Sequence, residues 1–269
     1  MVALVYSFTG ALPRPISFRA YSAEDARILS IVFAINMFFL ILFILLSCRK
    51  EECIMTSSAE RANRRYFREA YTTGVHGWGV MDPSPYALEF LRHVRKQAPG
   101  GALLDLGCGE GRHAFAAARM GFRVTGVDYE ARALERAREI AAKSGAPAVE
   151  FRKANALRLP FPPATFGVVL DYGCLHHQLK SDWPRYKSGL LRVLKPDGFY
   201  ILSVFSPRFR MFRGAKRPWH IAHGAYRRCF TRQDLTGLFS DAFEFIAMTE
   251  ETDKEVGFHH CLMRRRDER

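Results

Sequence analysis

Two groups of residues in this chain have the types and spacing for chemistry. The first is ALLDLGCGEGRH, Ala102 to His113, in which one acid, Asp105, precedes glycines at alternate positions, Gly107, Gly109 and Gly111, with Cys108 inside the turn. Glycines tolerate positive φ and let a ligand lie against bare backbone, and a helix starting behind them presents its free N–H groups. A flat or anionic ligand fits such a place. Asp128 ends the next apolar run, RVTGVD, 21 positions after Gly107, with Tyr129 beside it. A carboxylate there can accept hydrogen bonds from a ribose diol. A dinucleotide fits less well, because G-x-G-x-x-G needs glycine at position 112, where Arg112 stands. The second group is DYGCLHH, Asp171 to His177. Asp171 or Tyr172 can line a cationic centre through charge or a π face, and His176 or His177 can serve as a general base. The same pair can instead be helix-start residues bonded to backbone. No acid stands at helical spacing to the pair, so no metal site is expected, and His259 and His260 read as part of a terminal strand.

These groups need strands ending in turns to hold them. Ala102 to Leu106 and Arg123 to Asp128 read as two strands, with a helix over Arg112 to Met120 between them, ended by Gly121. Glu130 to Ser144 carries an apolar stripe at helical spacing, and Val149 to Lys153 is a third strand opening into Asn155 and Ala156. Phe166 to Leu170 is a continuous apolar run suited to a central parallel strand. Asp182 to Val193 is a helix, Lys195 to Gly198 (KPDG) a turn, and Gly198 to Phe205 a fifth strand. Upstream, Ser84 can cap a helix through Leu88, Phe90, Leu91 and Val94; downstream, Thr231 can cap one through Leu235, Leu238 and Phe239. Phe243 to Thr249 and Val256 to Arg264 are two closing strands. Strands alternating with helices predict a mostly parallel sheet whose ligands sit beyond the carboxyl ends of the strands, where both chemical groups fall.

DLGCGEGR, then GVD, then LPF, then FGVVLDYGCLHH resembles the class I S-adenosylmethionine-dependent methyltransferases. DYGCLHHQ, with GWGVMDPSP upstream, is similar to the small-molecule branch that includes thiopurine and tellurite-resistance methyltransferases, and the resemblance covers about Arg64 to Arg266. It implies a Rossmann-like α/β fold: a seven-stranded, mostly parallel sheet with helices on both faces. It implies S-adenosyl-L-methionine as cofactor and methyl transfer to a small-molecule or lipid-like acceptor through sulfur, oxygen or nitrogen. The family has Asp where Asn155 stands, for the adenine amino group, and Asn keeps an acceptor there. Its N-terminal segment folds over the cofactor, which makes Tyr66, Tyr71 and Trp78 candidates for the substrate pocket. Its substrate lid varies most where this chain has Ser206 to Phe230, a stretch with seven basic residues, no acids, and aromatics that include Trp219 and Tyr226. Two alternatives remain beside this: a non-catalytic cofactor-binding module tethered to a membrane, and an RNA-directed methyltransferase or RNA binder. Against the latter, the N-P-P-Y and D-P-P-Y motifs of amino-group methylation are missing at the fourth strand, where DYGC stands instead.

Composition frames the rest. A chain of 269 residues with 48% hydrophobic residues and 22 Phe buries a substantial core. The net charge of +13 falls almost wholly after residue 54 and attracts anionic partners without choosing among them. Six cysteines without a C-x-x-C pair are read as reduced thiols. Residues 28–47 form an uncharged run of twenty, long enough at ~1.5 Å per residue to span a ~30 Å hydrocarbon core. The expected order is a flank at 1–27, a transmembrane helix at 28–47, a linker at 48–63 and the catalytic domain at 64–269. Arg49, Lys50 and the basic residues beyond them outnumber Arg14, Arg19 and Arg27, so the positive-inside rule predicts a single-pass protein with a cytoplasmic catalytic domain. If translation starts at Met55, the product is a cytoplasmic protein without that run.

Overall fold

The computed structural model describes residues 60–76, 78, 82–97, 101–251 and 257–267. The expected flank, transmembrane helix and most of the linker lie outside them. Among the described residues no helix is long and apolar enough to cross a membrane.

Helix α1 covers residues 60–73. Then follow α2 (Pro85–Gln97), β1 (Ala102–Leu106), α3 (Arg112–Arg119), β2 (Arg123–Asp128), α4 (Ala131–Ser144), β3 (Glu150–Lys153), β4 (Phe166–Tyr172), α5 (Trp183–Val193) and β5 (Leu194–Phe205). The chain continues through β6 (Trp219–Ala222), β7 (Ala225–Arg228), α6 (Arg232–Phe239), β8 (Phe243–Glu250) and β9 (Phe258–Arg265). Seven strands form one sheet in the order β3-β2-β1-β4-β5-β9-β8, with β6 and β7 paired as a separate hairpin. The first five strands run parallel, and β9 is antiparallel to both β5 and β8. This is the Rossmann-like sheet that the sequence predicts.

Alternation along the strands supplies two apolar faces. Leu103, Val168, Leu170 and Ile201 pack with α2, α3 and α4 on one side. Leu104, Val169, Leu202 and Val204 pack with α5 and α6 on the other. Small residues of α3, Ala114 and Ala117, let that helix approach β1 and β2 closely. The order in which successive strands are added reverses at β1, which has β2 on one flank and β4 on the other while all of them run parallel. Beyond the carboxyl ends of these strands the connections diverge, and such a switch point opens a crevice.

Several boundaries differ from the sequence expectations. The KPDG segment is part of β5, which starts at Leu194, and the pairing with β4 is offset between Phe166 and Val168. Asp197 takes φ +58° there, and a Cβ on Gly198 would lie 2.8 Å from the Lys195 carbonyl oxygen, so turn residues serve a bulge within the strand. Glu130 caps α4 from outside, its side chain accepting from Arg132 N, and α5 starts at Trp183. Thr231 caps α6 as expected, in a reciprocal box with Asp234: Thr231 Oγ1 accepts from Asp234 N at 3.0 Å, and Asp234 Oδ2 accepts from Thr231 N at 2.8 Å.

Candidate active site

The glycine turn after β1 is stitched to the end of β2. Gly107 N and Cys108 N both donate to Val127 O, at 2.8 and 2.9 Å. Asp128 accepts from Gly109 N through Oδ2 at 3.0 Å and from Glu130 N through Oδ1 at 2.9 Å. Gly107 and Gly109 have φ of +73° and +54°, and their missing side chains are used. A Cβ on Gly107 would lie 3.0 Å from Cys174 Cβ, and one on Gly109 would lie 2.7 Å from Tyr71 Oη. Gly111, φ +86°, starts α3 as its N-cap and is packed by Phe115 and Phe151. The turn is thus a strip of bare backbone, and a cleft open to solvent begins beside it. Gly107, Asp128, Tyr129, Asn155 and Ala156, all singled out in the sequence, line this cleft. Asn155 caps its own turn, Oδ1 accepting from Leu157 N at 2.9 Å.

Helix α1 forms one wall. Phe67 meets Tyr129 and His177 edge-on, with ring centroids 6.1 and 4.9 Å apart. Asn63 ties three elements together. Its Nδ2 donates to His177 O at 3.1 Å, its Oδ1 accepts from Tyr226 N at 2.6 Å, and its carbonyl accepts from Tyr129 Oη at 3.4 Å. Tyr66, Phe67 and Trp78 cluster on the wall, and Trp78 Nε1 donates to Tyr71 Oη at 3.1 Å. Tyr66, Tyr71 and Trp78 therefore build the cover without lining the cleft described above. Glu110 of the glycine turn accepts from Arg136 at 3.1 Å and lies 3.4 Å from His76, which stacks on Trp78.

Three acids end neighbouring strands and are nearly or fully buried: Asp105, Asp128 and Asp171. Burial pushes each carboxyl up, Asp105 to about 7 and Asp128 and Asp171 to about 6. For Asp105 the Asp171 carboxylate adds to the rise, and Oδ2 of Asp105 has no hydrogen-bond partner among the described residues. Both oxygens of Asp171 are engaged within the fold: it accepts from Cys174 N at 2.6 Å, from Leu175 N at 3.0 Å and from the Tyr186 hydroxyl. It holds the turn after β4 and does not reach the cleft. Tyr172 points away as well, against His113, at 4.5 Å between ring centroids, with the Arg112 guanidinium 5.0 Å from its own ring.

The histidine pair lies on a short 3₁₀ turn, Leu175–His177, and its members part company. His176 is buried, stacked at 3.8 Å on Phe205, with Nδ1 accepting from Phe205 N at 3.4 Å. His177 lines the cleft, and its Nδ1 lies 2.7 Å from Tyr226 O. A carbonyl oxygen only accepts, so Nδ1 carries the hydrogen and Nε2 of the neutral ring has the lone pair. No partner for Nε2 occurs among the described residues.

The stretch 206–230 is less a loose lid than a packed hairpin. β6 and β7 pair antiparallel, and Trp219 and Tyr226 stack on each other at 6.3 Å. Tyr226 serves the cleft through its main chain, not its ring. Arg227 lies 4.9 Å from the Tyr66 ring and Arg228 4.9 Å from the Trp183 ring, so two of the seven basic residues are buried on aromatic faces. Asn63, Phe67 and Gln178 were not anticipated from the sequence as cleft residues. For Asn63 the only signal is its place at the start of an aromatic-rich segment.

The comparisons agree with this geometry. A family described as methyltransferase domain matches residues 103–198, from β1 into β5. An uncharacterized methyltransferase of Schizosaccharomyces pombe is 33% identical over 119 residues, 43% of this chain and 81% of that protein. The 2-heptyl-1-hydroxyquinolin-4(1H)-one methyltransferase of Mycobacteroides abscessus is 28% identical over 48% of this chain and 55% of its own length. Among solved structures, the 1,6-didemethyltoxoflavin-N1-methyltransferase of Burkholderia thailandensis, bound to 1,6-didemethyltoxoflavin and S-adenosylhomocysteine, superposes with a TM-score of 0.63 at 23% identity, over 79% of this chain and 91% of that one; at that identity the likeness is one of fold. With a glycine turn, a β2-terminal acid and a relative matched over four fifths of its length, the chain belongs to the S-adenosylmethionine-dependent methyltransferases.

Proposed function

We propose that this enzyme methylates a small molecule enclosed between α1 and the carboxyl edge of the sheet. The observation that carries the proposal is the closure of the cleft by its own chain: Asn63 fastens α1 to His177, Tyr226 and Tyr129 at once. An acceptor held there contacts Phe67, Tyr129 and His177, and a flat ring suits those edges and faces. A folded RNA does not fit behind such a wall. Two relatives bear on this by their names: one acts on a hydroxyquinolone and the other on a didemethyltoxoflavin, both small heterocycles.

The residues present fit S-adenosylmethionine. The strip at Gly107 and Gly109 is a cradle that a Cβ would fill, and the orphaned Oδ2 of Asp105 is a buried acceptor awaiting a donor. Asp128 suits the ribose hydroxyls, with Tyr129 beside it, and Asn155 and Ala156 suit the adenine end. The bound cofactor supplies an electrophilic methyl group on a positively charged sulfur. This chain orients the acceptor against it, covers one side of the site with α1, and sets Asp128 in the wall, where its charge favours a cation. Positioning of this kind can supply several kcal/mol of the barrier reduction.

The experiment is transfer of a labelled methyl group by the full chain to a pool of small heterocyclic acceptors and, separately, to RNA. Label in the small-molecule pool and none in RNA is expected. Label in RNA alone would refute the enclosed-acceptor reading. A membrane location through residues 28–47, with 1–27 as flank and 48–63 as linker, belongs to the same proposal. It is tested by fractionating cells that express the full chain or the chain from Met55: only the full chain is expected in the membrane pellet, and equal partition of the two would reject it.

A further inference from the structure

His177, Asn63 and Tyr226 form a closed ring of hydrogen bonds. His177 Nδ1 donates to Tyr226 O at 2.7 Å, Tyr226 N donates to Asn63 Oδ1 at 2.6 Å, and Asn63 Nδ2 donates back to His177 O at 3.1 Å. Each bond uses a group whose role is fixed, because a carbonyl accepts and a backbone N–H donates. The ring spans α1, the turn after β4 and the hairpin, and it leaves His177 one tautomer.

We infer that the methyl acceptor is a hydroxyl-bearing molecule, that Nε2 of His177 takes the hydroxyl proton, and that Asn63 is the positioning residue for that base. The inference rests on the small-molecule reading above. Its chemistry follows from what different nucleophiles need. A thiol is partly ionised at neutral pH, and an aromatic amine, unprotonated there, attacks through its own lone pair, so neither requires a base in the transition state. A hydroxyl does. A lone pair held by three bonds at the wall of the cleft is built for the third case. The balance is simple: the hydroxyl oxygen forms a bond to the methyl carbon as the carbon–sulfur bond breaks, its proton passes to Nε2, and the positive charge that entered on sulfur ends on the imidazolium. The Tyr226 carbonyl stabilises that cation through Nδ1–H.

The surroundings keep the ring neutral beforehand. Burial lowers the pKa of His177 to about 4; the Tyr226 carbonyl opposes this, and Arg227 on β7 adds to it. His176 and Phe67 pack against the ring, and Glu60, Arg64, Asp128, Tyr129, Cys174 and Asp182 share the cleft wall. At neutral pH the lone pair is therefore available.

The test uses the full chain and three matched probes on one bicyclic ring, an aryl alcohol, an aryl thiol and an aryl amine, with wild type, His177→Gln, Asn63→Asp and Asn63→Ala. Donor binding by calorimetry reports that each variant is folded. The alcohol is expected to be the preferred acceptor, with its kcat/KM lowered roughly 10²- to 10³-fold in His177→Gln while any thiol methylation changes little. Asn63→Asp places a carboxylate beside the ring and is expected to move the acid limb of the pH–rate profile upward with kcat reduced. That shift is one a purely structural contact would not produce. Asn63→Ala is expected to lower kcat for the alcohol more than it raises KM. Unchanged alcohol methylation in His177→Gln, or equal losses for alcohol and thiol, would overturn the inference and leave the small-molecule reading standing. Transfer to RNA in place of all three probes would overturn both.

Discussion

Replacement of Asp105 by Asn separates what the fold tolerates from what the site needs. The Asp105 side chain is buried, one oxygen has no partner, and the Asp171 carboxylate lies close enough to oppose its ionisation. Its pKa rises from 3.8 to about 7, chiefly through burial. The sign follows directly. Between pH 3.8 and about 7 the folded protein holds a proton that the unfolded chain has released, so the stability associated with this group is full below pH 3.8 and is lost as pH rises to about 7. A shift of about three units corresponds to about 4 kcal/mol once the window is passed. The Ala114 N–H donates to the Asp105 carboxyl, and Asn, uncharged at every pH, keeps an oxygen for it. Urea unfolding of the full chain, wild type and Asp105→Asn, followed by circular dichroism at pH 4 and pH 8, reads the difference. The variant is expected to match the wild type near pH 4, to exceed it by up to about 4 kcal/mol at pH 8, and to bind S-adenosylmethionine more weakly. A difference that does not change with pH, or a variant less stable at pH 8, would refute the argument that this acid is held at a cost to the fold.

Gly109→Ala places a Cβ 2.7 Å from Tyr71 Oη in a residue with φ +54°, so a loss of about 1–2 kcal/mol from backbone strain is expected in the same unfolding assay, with weaker donor binding as α1 is displaced. Unaltered stability and affinity would show that the turn and α1 are not in contact. Thr231→Ala should cost about 1 kcal/mol by opening the N-terminus of α6, and Asp234→Ala should cost a similar amount. Because their two bonds are reciprocal, the double variant is expected to cost less than the sum, a deficit that a double-mutant cycle measures.

The strands and the acids at their ends were legible because they obey local rules. Leu103 to Leu106, apolar but for Asp105, and Phe166 to Leu170 are runs too short for helices, and Gly107, Gly109 and Gly111 can only be a turn. Asp128, Asn155 and Ala156 meet at the cleft because each ends a strand or opens a turn at the same sheet edge. Asp171 shows where such rules stop. It too ends a central strand, yet it is drawn inward by Tyr186 and the backbone of Cys174 and Leu175, and nothing in DYGC announces a tyrosine from α5 as its partner. The two histidines were indistinguishable as neighbours, and only the 3₁₀ turn sends one to Phe205 and the other to the cleft. Asn63 was illegible for the same reason: its partners are 114 and 163 positions away. The basic and aromatic character of 206–230 suggested a substrate lid, whereas Arg227 and Arg228 pack on aromatic rings and the hairpin's contribution to the cleft is made by the backbone of Tyr226.

The most direct test of the central claim is a calorimetric titration of the full chain with S-adenosylmethionine, wild type against Asp128→Ala. The account predicts saturable binding by the wild type and its loss in the variant, since Asp128 holds the glycine turn through Gly109 N and lines the cleft. A folded wild-type protein that does not bind the methyl donor, or a variant that binds it equally well, would contradict the site described for this enzyme.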